Sequence, residues 1–237
     1  MNIYYDNKIN SALLYSDSIL HGQDINNLKS VFFSLPCDFD IPEPVIECTW
    51  EQEPVEMDSF IISGRFTSAD IDLFRDDDLI HSFSVGNKEK INIFHCPLIA
   101  CDKMAITLHE DQGEVSVNYI YVGTRYEAPR FDAQPTFKDQ FTAKSSRSDF
   151  GFLYGLEGVV LRSVSLNYTR MTEADFARLE QYYQSVQTVV PHIVDFYPEA
   201  HKSFPPLHCT LAKNIDREKR IENGFYYGLP LEYNEAK

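Results

Sequence analysis

The most reactive side chains in this sequence are its histidines and cysteines, and their spacing decides whether any of them can work together. His208 sits in PLHCTLAK, where a strand would carry His208 and Thr210 on one face. An imidazole there could move a proton while the hydroxyl places a phosphate oxygen. Such phosphoester chemistry needs a second copy facing the first, one histidine as base and the other as acid. Of the other histidines only His201 has a hydroxyl residue two positions on, and Lys202-Ser203-Phe204-Pro205-Pro206 reads as a turn. A His208-dependent, phosphoesterase-like hydrolase is kept only as an alternative. The expectation is a non-enzyme, with no catalytic residue and no cofactor.

Metal chemistry is as poorly supplied. His95, Cys96, Cys101 and His109 offer zinc ligands by type, but no second close pair completes a tetrahedral set, and buried free thiols are the simpler reading. Asp76-Asp77-Asp78 offers oxygen ligands to calcium, and it also has the composition of a tight turn. No metal site is expected. Sugar recognition would need exposed aromatic rings beside amide and acidic groups, and Trp50, Phe74 and Tyr126 are the aromatics so placed. Trp50 and Tyr126 are taken forward as carbohydrate contacts. Neither a glycine-rich phosphate loop, a Gly-x-Ser-x-Gly elbow nor a His-Glu-x-x-His helix is present.

The elements that must position these residues are mostly strands. From Asp58 to Val122 the chain reads as SFIISG, DIDLFR, LIHSFSV, KINIFH, KMAITLH and VSVNYIYV, separated by Gly, Asn and Asp turns, the rhythm of an antiparallel sandwich. In the last of these, Val117, Tyr119 and Tyr121 share one face and Ser116, Asn118, Ile120 and Val122 the other, so one face should be packed and the other mixed. Residues 1–125 are assigned to this sandwich, with an irregular, proline-broken lead-in up to about Met57. Residues 126–149 are polar and read as a linker or interaction arm. Residues 150–237 read as a small α+β module with β-β-α-β-β-β order. Its helix should begin after Met171 with Thr172 as N-cap and carry the stripe Phe176, Leu179, Tyr182, Tyr183 and Val186. The predicted fold class is mainly β: a jelly-roll or galactose-binding-like sandwich, then one helix on an antiparallel sheet.

Composition narrows the partners. The 237 residues are 43% hydrophobic and 14% aromatic, enough for a sizeable core, and 36 acidic against 21 basic residues leave a net charge of −15. That balance argues against nucleic acid, whose phosphates demand clustered Lys and Arg. No apolar run approaches the roughly 20 residues of a membrane span, and the N-terminus lacks the basic and apolar regions of a secretory signal. The five cysteines have no regular spacing and are read as reduced.

The layout resembles a group of bacteriophage tail structural proteins of the distal-tail or minor-tail kind, in which a galactose-binding-like sandwich precedes a small tail-ring module. DSFIISGRF and VSVNYIYVGTRYEAPRF carry the resemblance in the first half. VVLRSVSLNYTRMTEADFARLEQYYQSVQ, PHIVDFYPEA, PPLHCTLAK and GFYYGLPLEYNEAK carry it in the second. It implies a virion protein made in the host bacterial cytoplasm, forming a homo-oligomeric ring at the distal tail or baseplate between tube and hub or tip proteins. It also implies subunit contacts through Phe141, Tyr168, Tyr226 and Tyr227. The alternative of a different class is a carbohydrate- or receptor-binding module, with a host-surface glycan as partner.

Overall fold

The structure, a computed structural model, describes residues 1–30, 35–87, 90–111, 113–129, 135–141, 144–147, 153–156, 160–168, 171–200, 204–213, 220–222, 225–227 and 229–236. It is mainly β, with antiparallel sheets and one α-helix among the described residues. All six strands expected between Asp58 and Val122 are present. They lie in Val55–Arg65, Ser68–Arg75, Asp78–Gly86, Asn92–Cys101, Lys103–His109 and Ser116–Gly123.

Strands Leu13–Tyr15, Val45–Thr49, Lys103–His109, Ser68–Arg75 and Asp78–Gly86 form a five-stranded sheet in that spatial order. Its middle strands alternate cleanly: Ile46 and Cys48, Ala69, Ile71 and Leu73, and Met104, Ile106 and Leu108 point inward. Strands Cys37–Asp38, Ser116–Gly123, Val55–Arg65 and Asn92–Cys101 form the facing sheet. Phe60, Ile62, Ile120 and Val122 supply its side of the shared core. The lead-in is therefore not irregular as expected. It contributes two strands to the five-stranded sheet and a short one to its partner, and Pro42 and Pro44 precede Val45–Thr49 instead of interrupting it.

A third sheet runs, in spatial order, through Tyr126–Glu127, Asn2–Tyr4, His192–Asp195, Leu207–Leu211, Leu229–Glu235, Val160–Tyr168 and Thr136–Phe141. Two assignments change here. The first strand of the chain, placed with the sandwich by the division at residue 125, pairs with His192–Asp195 in this third sheet. The span 126–149, read as a linker, supplies the third sheet's two outer strands and the strand Lys144–Arg147.

The helix Glu173–Val186 covers one face of the third sheet. Thr172 Oγ1 caps it by accepting from Asp175 N at 3.2 Å, and Phe176, Leu179, Tyr182 and Val186 are buried against Val164, Leu166, Tyr168 and Tyr233. The other face of the third sheet packs on the outer face of the four-stranded sheet through Tyr4, Ile193, Ile61, Tyr119 and Tyr121. Strand Ser116–Gly123 is thus buried on both faces from Tyr119 onward, where alternation had left one face mixed.

Two backbone positions fix pairing within the sheets. The φ of Asp76 and Asp77 is 52° and 65°, the left-handed pair of a two-residue hairpin turn, so the acidic run serves the turn. Gly64 faces Ser116 and Val117 at the irregularity in the four-stranded sheet, where an added Cβ would strike the Ser116 carbonyl and lie 2.9 Å from Val117 Cα. Gly64→Ala is expected to destabilise the protein by about 2 kcal/mol, an overpacking cost read directly as a lowered urea midpoint.

Candidate functional site

Trp50 and Tyr126, the two aromatics singled out for sugar contact, are both core residues, and each forms the inner wall of a cleft. Trp50 is 4% exposed; its backbone N–H donates to Asp102 O at 2.8 Å and its indole N–H to Lys8 O at 2.8 Å. The ring cannot swing out to stack on a ligand. Tyr126 is 8% exposed and belongs to the core beneath the helix. Of the four residues expected at a subunit interface, Tyr168 is 1% exposed and buried in that same core. It is removed from any surface contact because its strand face is the one the helix covers. The side chains of Phe141, Tyr226 and Tyr227 lie outside the described residues.

The first cleft has a volume of about 640 Å³ and opens where the chain crosses between the two sandwich sheets. After Trp50 is pinned at the end of Val45–Thr49, the turn Glu51-Gln52-Glu53 stands fully out in solvent before Val55 enters the facing sheet. The opposite wall is Ser11 and Leu13, where the short helix Lys8–Ser11 hands over to the edge strand Leu13–Tyr15. Leu13 is 57% exposed and Tyr15, two residues on and on the same strand face, is 62% exposed. Hydrogen-bond acceptors on one wall thus face the exposed apolar side chain of Leu13 on the other. Two carboxylates, an amide and a hydroxyl suit a neutral ligand with many O–H donors and one apolar face, and disfavour an anion.

The second cleft, about 210 Å³, lies where the sandwich meets the helix and is lined by Tyr5, Asp6, Thr124, Arg125, Arg178 and Gln181 beside Tyr126. The Arg178 guanidinium carbon stands 5.3 Å from the Tyr126 ring centre. Arg125 Nε bonds Glu127 at 3.0 Å and lies 3.8 Å from Asp58, and Asp6 is held by Lys8 at 2.6 Å. Burial, opposed by the Arg178 charge, pushes the Tyr126 phenol up to about 12, so it stays a neutral donor.

The other sequence candidates do not assemble. His208 is 7% exposed with its ring against Tyr119, between the third sheet and the sandwich, out of reach of a substrate. His95 bonds Ser59 at 3.1 Å across neighbouring strands, and Ser59 is itself fully buried. His109, at the end of the strand Lys103–His109 farther from Cys101, lies 2.8 Å from Asp70 and 3.4 Å from Glu43; the Asp70 hydrogen bond raises its pKa. All five cysteines are free thiols, four of them buried, and burial pushes Cys101 up to about 12.

Glu51, Gln52, Glu53, Leu13, Arg125, Arg178 and Gln181 went unmarked in the sequence. Their only local signal is adjacency to an aromatic that is itself buried, as when an exposed polar turn directly follows Trp50.

No protein-family model and no curated protein matches the chain. Solved structures similar in outline include a fucose-binding module from Streptococcus pneumoniae, at 13% identity and TM-score 0.44 over 52% of this chain and 99% of that one. The lectin domain of lectinolysin complexed with Lewis B antigen gives 7% identity and TM-score 0.44 over 50% and 97%. A family 32 carbohydrate-binding module from C. perfringens in complex with galactose gives 10% identity and TM-score 0.43 over 52% and 98%. The match to SpGH29 has a TM-score of 0.46 and spans only 29% of that chain. At these identities the likeness is one of outline and places the chain in no family.

Proposed function

We propose that this protein is a glycan-binding protein, with a neutral sugar held in the Trp50 cleft of its sandwich. The observation that carries this reading is the pairing of the solvated turn Glu51-Gln52-Glu53 with the exposed side chain of Leu13 across a space of about 640 Å³. A sugar ring has hydroxyls for the first wall and a C–H face for the second. Pockets of some 300–1,000 Å³ are the usual size for small ligands. Trp50→Ala does not test the site, because it removes a core ring.

Gln52→Ala combined with Glu53→Ala alters only exposed side chains. Calorimetry against fucose, galactose and Lewis B, preceded by a glycan array, is expected to find a neutral glycan that binds the wild type. The double variant should bind it at least tenfold more weakly, about 1.4 kcal/mol, with unchanged thermal unfolding. Equal binding by the two proteins, or no neutral glycan bound at all, refutes the proposal.

The tail-ring reading has one feature in its favour. Strand Asp78–Gly86 is an outer edge of the five-stranded sheet, and it exposes Leu79 at 57% and Ile80 at 42%, a margin a like chain could pair with. On that reading the sugar cleft would face a host surface from a virion particle. Sedimentation distinguishes the two, since a ring component assembles and a free lectin-like module does not.

A further inference from the structure

We infer that the cleft between helix and sandwich is a second binding site, independent of the Trp50 cleft, and that it takes the carboxylate of a small monoanionic ligand through Arg178 and Arg125. Three observations lead there. First, Arg178 lies over the Tyr126 ring, which orients its fork of N–H donors, and among the described residues it is in no ion pair. Second, the contacts of Arg125 run through Nε, to Glu127 and Asp58, which leaves its terminal nitrogens for a further acceptor. Third, Thr124 and Gln181 line the same cleft and add a hydroxyl and an amide that can bond further ligand oxygens.

Charge sets the class of ligand. Arg125, Arg178 and Lys8 stand among Glu127, Asp58, Asp6 and Asp175, in a molecule carrying −15 overall. Guanidinium groups set among this many carboxylates accept one negative charge through paired N–H donors, and the surrounding charge repels a second one. A planar carboxylate fits a guanidinium fork in two parallel bonds. A phosphate dianion brings a charge the site cannot match. The volume of about 210 Å³ limits the ligand to a small acid or one acidic ring.

The test is calorimetry of the whole protein with acetate, D-glucuronate, D-glucose and inorganic phosphate. Acetate and D-glucuronate are expected to bind, with glucuronate the tighter if the ligand is an acidic sugar and the two equal if the carboxylate alone is read. D-glucose should not compete with glucuronate, and phosphate should not bind. Arg178→Gln should weaken glucuronate at least tenfold without changing thermal unfolding, while Gln52→Ala leaves it unchanged. Binding of phosphate as tight as that of glucuronate, undiminished binding by Arg178→Gln, or no binding of either carboxylate overturns the inference. None of these outcomes bears on the neutral-sugar site.

Discussion

Replacing Asn7 with leucine is expected to cost about 4 kcal/mol of stability, a large share of what a domain of this size has to spare. The reason lies in strand Ser116–Gly123. Its partner Cys37–Asp38 reaches only Ser116 and Val117, so on that side the strand runs on with no neighbour. The buried Asn7 side chain takes the place of one. Its Nδ2 donates to Ile120 O at 2.8 Å, and its Oδ1 accepts from Val122 N at 3.0 Å and from Ile9 N at 3.2 Å, which also caps the short helix Lys8–Ser11. Leucine fills a similar space and satisfies none of these groups, and each buried backbone group left without a partner costs roughly 1–3 kcal/mol. The check is a urea melt at neutral pH: the midpoint should drop sharply with an unchanged slope. A loss under about 1 kcal/mol would mean that water reaches Ile120 and Val122 and that Asn7 does not stand in for a strand.

The second large effect is a loss of stability in mild acid through His192. The ring is fully enclosed between helix and third sheet, with Nδ1 at 3.0 Å from Val190 O and Nε2 at 2.6 Å from Tyr182 Oη. A carbonyl only accepts, so Nδ1 carries the proton and Nε2 accepts from the phenol. Burial is the main cause that lowers this imidazole from 6.5 to about 4. The folded value is depressed, so the neutral ring contributes its full share above pH 6.5, and that share is lost as pH falls from 6.5 towards 4. Between pH 7 and pH 4.5 the wild type should lose roughly 2 kcal/mol more than His192→Gln, whose side chain does not titrate. Denaturant melts of both proteins at the two pH values measure the difference directly. Parallel losses would show that carboxylates alone govern the acid response.

The Asn7 effect depends on contacts more than a hundred residues apart, and such contacts are where the sequence is least legible. The six sandwich strands and the helix with its Thr172 cap could be read directly, because alternation and capping are local signals. Tyr119 and Tyr121 could not be placed, since a face covered by a distant sheet has the same local pattern as a partly solvated one. MNIYY gives no hint of a strand when only three of its residues pair, with partners some 190 positions away. The edge segment at 136–141 read as polar linker because an outer strand has one wet side. At the clefts, Trp50 and Tyr126 were visible as types, but what meets the solvent is their neighbours, and exposed Glu, Gln and Arg look alike wherever they occur.

The pairing of Asn2–Tyr4 with His192–Asp195 also sets a timetable for synthesis. Asn2–Tyr4 leaves the ribosome well before its partner, which lies some 190 positions further along the chain. At about 5–20 residues per second, roughly ten to forty seconds separate the two. The aromatic outer side of the nascent four-stranded layer, with Tyr119 and Tyr121, is made some 70 positions before His192–Asp195, so for about four to fifteen seconds it lacks that strand to lie against. A cell making this protein must shield that surface for the duration, so yield should respond to translation speed and chaperone supply more than to the strength of the finished fold.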